Sequence, residues 1–177
     1  TGQGSLWRET VYGWTYIMAR PGLLALLWFF ATNNLLTGMG AVLLTPLVLS
    51  FTSAAVLGTV LSISGGGFLL GSLVMSVWGG PQCHIYGIFS ATVVRGLCLM
   101  VAGLYPSAPV IAVAMGLFFF NLPIAASCSQ AIWQKKVAPD VQGRVYAVRK
   151  VFAWSAYPLA YLLAGPLADY VFEPLLA

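Results

Sequence analysis

Long apolar runs alternate along this chain with short polar breaks. A transmembrane helix needs about 20 mostly apolar residues. Five runs reach that length, over about 22–47, 53–78, 85–104, 108–133 and 145–168, the last being most apolar from residue 151. None alternates with a period of two, and Leu and Ala abound, so the pattern predicts helices and not barrel strands. Pro46 with Ser50, Thr52 and Ser53 is expected to close the first run. Gly79-Gly80-Pro81-Gln82, Tyr105-Pro106-Ser107 and the segment from Lys135 to Asp140 close the next three. The turns after the first and third runs are short, which predicts antiparallel hairpins.

The opening segment, residues 1–20, reads differently. Trp7, Val11, Trp14 and Met18 recur at helical spacing as one apolar stripe, with Arg8 and Glu9 off it. This predicts an amphipathic helix lying against headgroups. The segment lacks the short apolar core and small-residue cleavage site of a secretory leader. Five spans are an odd number, and a new apolar stretch begins after the acidic 169–174 turn. The expectation is a polytopic transmembrane helical bundle, all-α, with domain limits of 1–20 and 21–177. A sixth span is expected to be missing, as from a longer protein.

Composition supports this class. The 177 residues are 60% hydrophobic and only 7% charged, with a mean hydropathy of +0.90. A soluble domain is roughly a quarter charged. The surface lacking charge must face a lipid bilayer. Net charge is +4, too small and scattered for a nucleic-acid partner. Of the eight Lys and Arg, seven fall on one side of the expected spans: Arg8, Arg20, Lys135, Lys136, Arg144, Arg149 and Lys150. The opposite loops carry none, and hold Asp169 and Glu173. Basic loops stay inside, so the opening segment and the loop after the fourth span are expected in the cytoplasm.

The eighth basic residue, Arg95, lies midway along the third run. A midspan Arg costs roughly 2.5–3.5 kcal/mol on translocon scales and more by simulation, so it should face protein or a water-filled cavity. It either attracts an anionic or polar substrate or is a structural cation satisfied by its neighbours. Asn33 and Asn34, with Thr32 and Thr37, and Asn121 and Gln130, with Ser127 and Ser129, are polar groups inside spans. They must turn inward, to line a substrate path or to join helices. Gly116 and Pro123 are expected to break the fourth span locally. Gly67 and Gly71 make a GxxxG pair for close helix packing, and no Lys follows these glycines, so a phosphate loop is excluded.

No carboxylate lies in any span, so a proton relay, if the protein has one, is expected elsewhere. Cys83, Cys98 and Cys128 read as small hydrophobes, and His84 beside Cys83 has no further ligands, so no metal and no cofactor is expected. No Ser-His-Asp, Cys-His or two-metal arrangement exists, which argues against an enzyme.

Three segments resemble the major facilitator superfamily, in particular the C-terminal half of bacterial efflux permeases similar to the enterobactin exporter. Glu9-Thr10-Val11-Tyr12-Gly13-Trp14, running on to Arg20-Pro21-Gly22-Leu23, looks like the end of the central loop entering helix seven. Pro139-Asp140-Val141-Gln142-Gly143-Arg144-Val145-Tyr146-Ala147-Val148-Arg149 looks like the loop between helices ten and eleven. Tyr161-Leu162-Leu163-Ala164-Gly165-Pro166-Leu167-Ala168-Asp169 looks like helix eleven. The resemblance implies twelve helices in two pseudo-symmetric halves that rock about a midplane site, with the five spans as helices seven to eleven. The family's acidic-basic signature between helices eight and nine is absent from the stretch running to Gln82-Cys83-His84.

The expected function is secondary active export of a small molecule, such as a drug, siderophore or peptide metabolite, across the cell membrane. The implied partners are the bilayer, the substrate and a missing N-terminal half. Substrate-path candidates are Arg95, Asn33, Asn34, Asn121 and Gln130. Cytoplasmic gate candidates are Asp140, Gly143, Arg144 and Arg149, with Pro139 stopping one helix and Gly143 permitting a tight turn before the next. Helix-packing candidates are Gly67, Gly71, Gly165 and Pro166. The alternative function is a non-transporting scaffold or pseudo-permease module.

Overall fold

The computed structural model describes residues 6–167, with side chains described over 8–166. Among these residues the elements are α1 (Leu6–Met18), α2 (Pro21–Leu49), α3 (Ala54–Trp78), α4 (His84–Leu104), α5 (Ala108–Lys136) and α6 (Gln142–Leu167), with no strand. The expected acidic turn at 169–174, the start of the expected sixth span and the Trp7 side chain lie outside the described residues. Four helices, α2 to α5, are long and apolar enough to cross a membrane. In α6, Ser155, Tyr157, Pro158, Tyr161 and Pro166 dilute the apolar residues.

The helix ends have local causes. Pro21 opens α2, where its missing N–H goes unneeded. Ser53 caps α3 in extended conformation, and Gly79 ends it at φ 74° with its N–H on the Met75 carbonyl at 2.9 Å. The left-handed backbone is what glycine allows at this position.

Two prolines and one glycine correct the expected breaks. Pro46 does not end its helix, because α2 runs on to Leu49. The exit is closed by the other residues of that expected break, with Ser50 Oγ on the Leu47 carbonyl and Thr52 Oγ1 on the Val48 carbonyl, both at 2.7 Å. Pro123 lies inside a continuous α5, so Gly116 and Pro123 interrupt nothing. A proline removes one backbone donor, which neighbouring groups in membrane helices re-satisfy. Gly143 sits in the first turn of α6. It is not among the positive-φ glycines, and the tight turn before that helix is made earlier, at 138–141, where the Val141 N–H donates to the Ala138 carbonyl at 3.1 Å.

The chain divides into two compact units, Thr1–Leu44 with Lys136–Ala177, and Thr45–Lys135. In the first, α6 buries Val145, Val148, Ala153, Ala156, Ala160 and Ala164 along one face. Gly38 of α2 meets this face, where an added Cβ would lie 2.8 Å from Ala160 Cβ and 3.1 Å from the Tyr157 ring. Helix α1 docks on α6 through Gly13 and through Trp14, whose ring centre lies 5.6 Å from that of Phe152, and its Ile17 is fully buried. Gly13 and Ile17 lie off the predicted stripe, of which Trp14 is half-buried and Val11 and Met18 stay exposed.

In the second unit, α3 approaches α5 through Gly67 and Gly71, whose absent Cβ atoms would fall on the carbonyls of Gly116 and Phe120. Helix α4 buries Gly87, Ile88, Ala91, Arg95, Cys98 and Ala102, one helical face. Lipid is as apolar as Leu, so such helices associate by close van der Waals packing and not by apolar burial. Small residues at the contacts provide it. The large apolar side chains Leu69, Leu73, Val77 and Leu97 point outward, as a lipid-facing surface requires.

Candidate functional site

Arg95 is 6% exposed at the centre of the buried face of α4. Its Cζ stands 4.5 Å from the centre of the Phe118 ring of α5. A cation over an aromatic face is attracted by the ring quadrupole, the more so when desolvated. Phe118 is itself buried, so α5 offers this guanidinium a π surface within the protein.

On the outward side of α4 and α5 lies an apolar groove of about 490 Å³, lined by Val94, Leu97, Cys98 and Val101 of α4 and by Pro109, Val113 and Leu117 of α5, with neither Arg95 nor Phe118 in its lining.

The amides divide by role. Asn34 Nδ2 donates to the Ala153 carbonyl at 2.9 Å and so joins α2 to α6. Asn33 is half-buried beside it. Asn121 Nδ2 donates to the Leu117 carbonyl one turn back at 2.8 Å, within its own helix. Gln130 is half-buried on α5, next to the fully buried Ser129. Asn33 and Asn34 belong to the first unit, and Arg95, Asn121 and Gln130 to the second, so the candidates form two groups.

The basic residues at the start of α6 converge with α1. Arg144 Nη2 lies 3.4 Å from Glu9 Oε1, both side chains partly exposed, and its Cζ is 5.8 Å from the Tyr12 ring centre. Gly13 lies beneath, where a Cβ would come within 2.9 Å of both the Arg144 carbonyl and Val148 Cγ2. Tyr16 Oη accepts the Ala138 N–H at 3.3 Å, and Gln142 Nε2 donates to the Val137 carbonyl at 3.1 Å. Asp140 is exposed in the loop before α6, and Arg149 is half-buried.

Of the packing candidates, Gly67 and Gly71 meet α5 as described. Gly165 and Pro166 are exposed, and a Cβ on Gly165 would meet nothing within 4 Å. The contacts of α6 run instead through its alanines. Sequence reasoning missed Gly13, Gly38, Phe118 and the alanine face. The alanines recur at helical spacing over 153–164 and could have been found as a small-residue stripe. A single glycine or phenylalanine carries no such periodicity.

The chain is 26% identical over 169 residues to macrolide efflux protein A of Streptococcus pyogenes, covering 93% of this chain and 42% of that protein. It is 26% identical to the macrolide efflux protein A of Enterococcus faecalis, over 86% of this chain and 48% of that protein. It is 35% identical over 116 residues to the multidrug efflux pump Tap of Mycobacterium tuberculosis, over 64% of this chain and 27% of that protein. The chain thus spans less than half the length of these relatives. No family model matches it, and no solved structure does. Four membrane-length helices and these similarities make the chain a multi-pass membrane protein distantly related to bacterial drug-efflux proteins.

Proposed function

We propose that these helices form the C-terminal half of a major-facilitator-type secondary transporter that exports a drug-like small molecule by alternating access. The similarity to efflux proteins over 93% of the chain carries this reading, and the matched share of those relatives, 42%, suits one of two halves. The helices α2 to α6 are then helices seven to eleven of the whole. The basic ends of α2, α5 and α6 lie in the cytoplasm, in keeping with the positive-inside rule, and the cell membrane is the site of action.

Within this half, Arg95 is the residue whose presence in a span costs most. Its retention on the buried face of α4 supports a role in attracting a polar or anionic part of the substrate. In the same unit as Arg95, Asn121 and Gln130 supply further polar groups; in the other unit Asn33 is a separate candidate, and Asn34 holds α2 to α6. On this reading Asp140, Gly143, Arg144 and Arg149 are the candidates for a gate at the cytoplasmic end. Such a transporter rocks one half against the other about the midplane, so the partner is the N-terminal half.

The test is the natural full-length protein in a pump-deficient bacterium, scored for susceptibility to a macrolide and to ethidium. Export raises the inhibitory concentration of one or both, and Arg95→Leu abolishes the rise at an unchanged membrane level. A protein that reaches the membrane and alters susceptibility to neither contradicts the export reading and favours a scaffold.

A further inference from the structure

We infer that α1 is a rigid tie that fastens the cytoplasmic ends of α2 and α6 together, so that the two move as one body. Contacts on three sides carry this.

Toward α2, the link is only Ala19 and Arg20, and it is hydrogen-bonded throughout. The Ala19 N–H donates to the Thr15 carbonyl and the Arg20 N–H to the Ile17 carbonyl, both at 3.0 Å, and the Leu23 N–H donates to the Arg20 carbonyl at 2.9 Å. The Arg20 side chain braces the joint, with Nη1 on the Tyr16 carbonyl at 3.2 Å and Cζ 3.6 Å from the Tyr16 ring centre. A joint so bonded has little freedom to hinge.

Toward α6, Gly13 brings the two backbones into contact and Ile17 is fully buried. Phe152 of α6 is shared: Trp14 of α1 lies at 5.6 Å between ring centres, and Trp28 of α2 stands edge-on at 5.0 Å. One α6 ring therefore packs against both other helices. Toward the loop before α6, Tyr16 Oη holds the Ala138 N–H. A helix only resting on headgroups needs none of these contacts.

The Glu9–Arg144 pair is not the fastening. Exposed pairs contribute little, so the tie rests on packing and stays closed through a transport cycle.

The test uses the full-length protein with its own cysteines replaced, in inside-out vesicles. Cysteine at Ile17 should react with a maleimide at least about tenfold more slowly than cysteine at the exposed Met18, the factor that 1.4 kcal/mol of protection gives. Protection should persist while ethidium is being transported. Val148→Cys reports the same contact from α6 if the first variant folds poorly. Gly13→Leu should abolish the protection. In a second arm, Trp14→Cys with Phe152→Cys, whose rings lie 5.6 Å apart between α1 and α6, is bridged by a short bismaleimide, and ethidium transport should survive the bridge.

Fast labelling at Ile17, or loss of transport on bridging, overturns the tie. The second arm and the persistence of protection during transport rest on the export reading, and the basal labelling contrast does not. If the protein moves no ethidium, the export reading is what is weakened, and the labelling contrast alone decides for or against the tie.

Discussion

Adjacent glycines in α3 should respond to the same substitution with opposite signs. Gly65, Gly66 and Gly67 share one helix turn. A Cβ on Gly65 or Gly66 meets nothing within 4 Å, whereas one on Gly67 falls on the Gly116 carbonyl, with the Gly116 carbonyl carbon at 2.9 Å. In a helix interior, glycine is less favourable than alanine by roughly 0.5–1 kcal/mol. Gly65→Ala and Gly66→Ala should therefore stabilise by about that amount. Gly67→Ala gains the same conformational term but must push two backbones apart, and overpacking typically costs 1–3 kcal/mol.

The obstacle at Gly67 is main chain, which cannot rotate away as a side chain can, so the cost belongs at the upper end. The net effect is a destabilisation of about 1–2 kcal/mol. Gly71→Ala, facing the Phe120 carbonyl, should behave alike. Thermal unfolding of the detergent-purified full-length protein, with all four variants side by side, measures this. A midpoint for Gly67→Ala at or above that of Gly66→Ala would refute the close approach of α3 and α5.

Asn34→Leu should lower stability by about 0.6 kcal/mol, the average for an interhelical hydrogen bond in a membrane, since it removes the bond to the Ala153 carbonyl; a loss above about 2 kcal/mol would point to a larger network. Arg144→Lys keeps a positive charge opposite Glu9 in an exposed pair, so unfolding should shift by less than about 1 kcal/mol and transport should stay near the parental rate. Complete loss of transport there would assign Arg144 a bidentate gate partner that only its planar fork can satisfy. Cysteines at Ser107 and Gln142 should label from opposite faces of the membrane, because α5 (Ala108–Lys136) separates them; labelling of both from outside would overturn the assigned orientation.

Much of the architecture was legible in the sequence because length and composition determine it. A run of apolar residues bounded by Gly-Gly-Pro or Tyr-Pro-Ser can hardly be anything but a helix between turns, and the limits of α3, α4 and α5 followed. Proline was the misleading signal. At Pro46 and Pro123 the bonds of the surrounding helix outweigh one missing donor, a balance that residue type alone does not reveal. The contacts were less legible than the elements. Gly67 and Gly71 stood out because they are paired at helical spacing, but Gly13 and Gly38 are single residues whose role depends on what lies opposite. Arg95 was conspicuous as a charge in a span, yet its neighbour Phe118 is one aromatic in the run Phe118-Phe119-Phe120, and only the fold selects it. The expectation for α1 was half of the matter: its apolar stripe leaves Val11 and Met18 outward, while the docking on α6 runs through Trp14 of that stripe and Gly13 beside it.

Energy-dependent efflux is the most direct measurement of the central claim. Pump-deficient cells expressing the full-length protein, or its Arg95→Leu variant at equal membrane level, are loaded with a radiolabelled macrolide, and retention is followed before and after the membrane gradient is collapsed with a protonophore. The account predicts low retention with the parental protein, a rise to the level of empty cells when the gradient collapses, and high retention throughout with Arg95→Leu. Equal retention in parental and empty cells while the gradient stands, found again when ethidium replaces the macrolide, would contradict it.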